Sequence, residues 1–110
     1  MAIRKLEIPK RFSLMGEVIT VRHDPVLFWE NDSLGEARYN SSEIVLQPET
    51  EGIPLNRQKY EHVFLHELVH YVLFKADGEM EDPPLYRREE LVDKIAGLLR
   101  QAFKTAELEE

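Results

Sequence analysis

No cysteine occurs anywhere in the 110-residue chain. That excludes disulfides and thiolate metal ligands, and it fits a reducing cytosol. Nor does any apolar run reach the length of a membrane span. The basic residues near the start, Arg4, Lys5, Lys10 and Arg11, are not followed by an apolar stretch of signal-peptide length. A cytoplasmic protein with no membrane partner is therefore expected. Positive charge is also scarce, with 14 Lys and Arg against 21 Asp and Glu and a net charge of −7. Such a surface gains little from counterion release at phosphates, which argues against a nucleic-acid partner. There are no internal repeats and no low-complexity tract, and the length allows one domain, residues 1–110, around one modest core.

What the chain does contain is His66-Glu67-Leu68-Val69-His70. This is the H-E-x-x-H arrangement of a metal hydrolase. It lies in a stretch that reads as one helix, from Asn56 as N-cap through residues 57–75, with Asp77-Gly78 as the stop. Residues four apart on a helix share a face, so both imidazoles can reach one ion. Glu67 then flanks that ion without having to ligate it. Val63, Phe64, Leu68, Tyr71, Val72 and Leu73 give this helix a wide apolar surface, as a largely buried central helix requires.

Two histidines need a third protein ligand, with a fourth position left for water. His62 continues the stripe, but it stands roughly 12 Å along the axis from His70, too far for all three to close on one ion. It is expected as a neighbour of the cleft or an ordinary helix-face residue. His23, near the end of a predicted strand, is not a favoured candidate. A second helical pattern over residues 86–105 carries Glu89, Glu90 and Asp93 near its start. A ligand at Glu89 would place Asp93 one turn on, where it could accept the free N–H of a metal-bound histidine. Glu90 and the loop acids Asp77, Glu79, Glu81 and Asp82 remain alternatives.

The first half reads as strands. Residues 11–15 and 17–23 flank Gly16, and residues 36–40 and 43–47 flank Asn40-Ser41-Ser42. Ala37, Tyr39, Ile44 and Leu46 would face the core, with Glu36, Arg38 and Glu43 towards water. Pro48 closes the last strand, and residues 48–54 link it to the metal helix. The expected fold is α+β, a small antiparallel sheet on two main helices with the metal site between them, mainly β over 1–48 and mainly α over 55–105. Leu27, Phe28 and Trp29 are expected in the core. Residues 106–110 read as a frayed acidic tail.

His66-Glu67-Leu68-Val69-His70, then Glu89-x-x-x-Asp93, then Ile95-Ala96-Gly97-Leu98-Leu99 resembles the minimal zincin-like metallopeptidases of phages and mobile elements, of which the ImmA/IrrE type is the best known. The resemblance covers residues 60–100. It implies zinc held by His66, His70 and Glu89, with Glu67 as general base, and a host-cytoplasmic setting for a phage-encoded chain.

The chemistry expected of such a site is peptide hydrolysis on a protein or peptide substrate. Zinc would activate a water and polarise the carbonyl, and Glu67 would move the proton from water to leaving amine. The oxyanion needs a further donor. Tyr86, three residues before Glu89, comes first, followed by Tyr71 and Arg87. A strand edge at residues 35–39 or 44–47 could pair with an extended substrate. Two other readings stand beside this one, a zinc-binding interaction module with little turnover and a SprT-like protease acting on DNA-bound proteins. Two imidazoles and a carboxylate also suit Mn or Fe.

Overall fold

The computed structural model describes residues 5–27, 34–50, 52–78, 80 and 82–107. Strands β1 (Arg11–Leu14) and β2 (Glu17–His23) form an antiparallel hairpin in which Leu14 faces Glu17. Its two-residue turn has positive φ at both positions, 50° at Met15 and 84° at Gly16. That is the turn whose twist suits a tight hairpin, and glycine adopts it without steric cost. Strands β3 (Gly35–Arg38) and β4 (Glu43–Leu46) form the second expected hairpin.

The two hairpins join through β2 and β4, which run parallel, in the order β1-β2-β4-β3. The sheet is therefore mixed, and the all-antiparallel expectation holds within each hairpin only. Alternation along a strand specifies which face is buried; it does not say which strand of one hairpin meets the other. The order has a cause in β4, where Ile44, Val45 and Leu46 are all fully buried. A strand apolar on both faces belongs in a sheet interior. Residues 44–47 are thus no edge, whereas β3 is the outer strand among the described residues. The expected linker contains a short ladder of its own, β5 (Glu49–Thr50) against β6 (Ile53–Pro54).

Helix α1 (Arg57–Ala76) starts where the sequence places it, with the Asn56 side chain accepting from the Lys59 amide at 2.8 Å. It ends at Asp77, and Gly78 follows at φ +59°. Ile19, Ile44 and Leu46 of the sheet meet Phe64, Leu65, Val69 and Tyr71 of α1 and Val92 and Ala96 of helix α2 (Glu89–Thr105). This is the core of an α+β fold with two helices on one mixed sheet. Leu27 is fully buried as expected, while Phe28 and Trp29 lie outside the described residues, as do residues 108–110 of the tail. Of the apolar positions expected on α1, Val72 is exposed; the helix instead buries Glu61, Glu67 and His70. No helix among the described residues is long and apolar enough to cross a membrane.

The second helix differs from its sequence pattern at the start. Leu85–Arg87 forms a separate 3₁₀ turn, and Arg88, at φ −84° and ψ 89°, leaves helical geometry before α2 begins at Glu89. Tyr86 is consequently not on a helical face shared with Glu89.

Candidate metal centre

The N-terminal end of α2 lies against the middle of α1, and this brings three expected ligands together. Nε2 of His66 and Nε2 of His70 are 3.1 Å apart. Glu89 reaches both, with Oε2 at 2.9 Å from His66 and Oε1 at 3.1 Å from His70.

Neighbours fix which ring nitrogens carry protons. Nδ1 of His66 is 3.0 Å from Oδ1 of Asp93, and Nδ1 of His70 is 2.5 Å from the Tyr86 carbonyl. A carboxylate and a carbonyl can only accept, so both Nδ1 atoms are the N–H side of their rings. Both Nε2 atoms are then bare lone pairs, facing each other and a carboxylate. Acceptors converging at such distances repel unless a cation or protons lie among them. The donor set of two neutral imidazoles, each oriented from behind, and one carboxylate suits zinc, and equally Mn or Fe.

Of the two places expected for His62, the structure gives the border of the cleft. Its Nε2 is 2.7 Å from the same Asp93 oxygen that receives His66. His62, His66 and Asp93 are also close enough to hold an ion. That group would need Nδ1 of His66 as a ligand, the atom whose proton bonds Asp93. We therefore read Asp93 and His62 as the buttress of His66.

Glu67, next to His66 on α1, lines the same cleft and is only 7 % exposed. Burial is the main cause that pushes its carboxyl up to about 7; His66 opposes this, Glu89 and Glu36 add to it, and the Ala37 amide opposes it. The cleft, about 370 Å³, is lined by these groups together with Gly35, Ala37 and Tyr39 from β3 and its end. At Gly35 a Cβ would stand 2.7 Å from Cγ1 of Val63 and 2.9 Å from Cγ and Oε2 of Glu67. Only glycine lets the strand come this close to the motif helix.

The sequence assigned other groups differently. Glu90 is exposed and outside the ligand triangle, and Asp77 and Asp82 join no metal-binding group among the described residues. Glu79 and Glu81 lie outside the described residues. His23 bonds the Tyr60 hydroxyl at 2.7 Å instead. Tyr71, an expected oxyanion donor, is fully buried with its hydroxyl bonded to Glu17 at 2.7 Å. Nε of Arg87 donates to the Tyr86 hydroxyl at 3.1 Å, and the Tyr86 carbonyl orients His70. Sequence reasoning missed that carbonyl, Gly35, and the position of Tyr39 beside the ligands. Only Gly35, a glycine in a strand, left a readable signal.

Comparison of the chain with protein-family models, with curated proteins and with solved structures finds no match.

Proposed function

We infer that this chain is a zinc-dependent metallopeptidase of the minimal zincin type that its motifs resemble, acting on a protein or peptide in the cytoplasm. The observation that carries the reading is the pair of bare Nε2 atoms of His66 and His70, turned inward by Asp93 and the Tyr86 carbonyl beside the Glu89 carboxylate.

His66, His70 and Glu89 would hold the ion, which supplies a Lewis acid for the substrate carbonyl and lowers the pKa of a water. Glu67, buried on the same cleft wall, takes the proton from the attacking water and hands it to the leaving nitrogen. Strand β3, outermost in the sheet among the described residues, forms one side of that cleft through Gly35, Glu36 and Ala37. Asp93 and Tyr86 hold the imidazoles in one tautomer throughout.

The test compares wild type with Glu67→Gln for bound zinc and for hydrolysis of fluorescently labelled casein. Stoichiometric zinc in both, with turnover in wild type only, is the expected result. Zinc in both without turnover in either would favour a zinc-binding interaction module. Wild type that takes up no metal would end the reading.

A further inference from the structure

Resting on the peptidase reading, we propose that the hydroxyl of Tyr39 is the hydrogen-bond donor that stabilises the oxyanion formed on the substrate carbonyl. In that step the water oxygen bonds to the carbonyl carbon and the π pair moves onto the carbonyl oxygen. The water proton passes to Glu67. On collapse the pair returns, the C–N bond breaks, and the amine leaves with the proton from Glu67. The developing negative oxygen needs a fixed donor besides the ion.

Tyr39 stands where two depressions meet at the ligands. One holds it with His66, Glu67, His70 and Glu89, and the other with His70, Tyr86, Arg87 and Glu89. Its ring is stacked on Phe74 at 4.2 Å and met edge-on by Tyr71 at 5.1 Å and Tyr86 at 5.4 Å. Three aromatic neighbours leave that ring little freedom, so the phenol is positioned before substrate arrives. Its hydroxyl makes no hydrogen bond among the described residues, although the residue is half-buried. The hydroxyl is not among the buried polar atoms left without a partner, so it reaches solvent in the cleft and can exchange water for a ligand. Of the nearby tyrosines, Tyr71 donates its proton to Glu17, while the Tyr86 hydroxyl accepts from Nε of Arg87. Burial, and then the carboxylates of Glu67 and Glu89, hold the phenol in its protonated, donating form.

The test uses the cobalt-substituted protein, whose visible band reports anions reaching the ion. Inorganic phosphate serves as the tetrahedral oxyanion, and acetohydroxamate as a probe that needs the ion alone. Tyr39→Phe removes one oxygen and keeps the aromatic stack. It should bind cobalt fully, weaken phosphate by about tenfold or more, and leave acetohydroxamate unchanged. With casein, kcat should fall while KM holds. Equal phosphate binding in wild type and variant overturns the proposal and leaves the metal centre standing. So does a loss seen in Tyr86→Phe instead, or no phosphate binding by wild type. Loss of cobalt from Tyr39→Phe would make the role structural and also overturn it. Wild type that binds no cobalt removes the peptidase reading and this proposal with it.

Discussion

His66 and His70 turn their Nε2 atoms towards each other at 3.1 Å while each Nδ1 is held by an acceptor behind it. Helical spacing alone places two imidazoles on one face; it does not choose which nitrogens converge. That choice is made by Asp93 on α2 and by the backbone of Tyr86. A candidate ligand set follows, and it can be tested. Zinc titrated against a chromophoric chelator should be lost in His70→Ala and Glu89→Ala and retained in His62→Ala and Glu90→Gln. Asp93→Asn should keep the ion with affinity lower by roughly 10- to 100-fold. Loss in His62→Ala matching that in His70→Ala would instead locate the ion among His62, His66 and Asp93.

Gly35 is where β3 touches the motif helix, and a methyl there has no room against Val63 and Glu67. Val63 is a β-branched side chain on a helix, with little rotameric freedom to yield. Gly35→Ala should therefore cost about 1–3 kcal/mol in urea unfolding, as overpacking does. Because Glu67 is displaced and the histidines are not, zinc content should hold while turnover falls. An unfolding midpoint equal to wild type would show that the strand shifts freely.

How far the sequence carries can be seen in the same residues. Asn56, the apolar run and Asp77-Gly78 are local signals, and α1 begins and ends where they say. His66, His70, Glu89 and Asp93 were legible because helical spacing converts directly into shared faces. The parallel pairing of β2 with β4 was not, since it depends on how two hairpins dock. The break at Arg88 also escaped periodicity, because the apolar pattern runs on through the 3₁₀ turn. Tyr39 read as a core residue because alternation gives a face and not a neighbour. A half-buried ring packed on aromatics and a cleft-lining phenol carry the same letter.

The N-cap of α1 offers a check on stability separate from the site. Asn56 satisfies the Lys59 amide, one of the donors that a helix start leaves without a partner in the helix. Asn56→Ala should lower stability by about 1 kcal/mol, and Asn56→Asp should hold it. The candidate ligands His66 and His70 lie two turns or more into the helix, and Glu89 is on the other helix, so zinc affinity should be the same in all three proteins. A drop in affinity with Asn56→Ala would mean that fraying reaches the motif.

Glu61 is fully buried among groups from three parts of the chain. Its carboxylate accepts from the Leu6 amide at 2.9 Å, Nε of Arg57 at 3.2 Å, Nε of Arg100 at 3.0 Å and Nζ of Lys104 at 3.1 Å. Burial by itself would raise the pKa; the Leu6 amide, Lys104, Arg57 and Arg100 outweigh it and bring the group to about 2. A folded-state pKa below the unfolded value means that the unfolded chain takes up the proton first. The stabilisation is therefore complete above the unfolded value, about 4.5, and drains away as pH falls from there towards 2. At neutral pH it is on the order of 3 kcal/mol. Glu61→Gln should lose at least that much at pH 7, because three cations are left without their anion. In urea titrations the gap between variant and wild type should narrow from pH 5 to pH 3, as the unfolded wild-type chain takes up a proton that the folded one still excludes. A gap that stayed constant across that range would show that the acid limb belongs to other carboxylates, such as Glu17, which Lys75, Ser42 and Tyr71 also hold down to about 2.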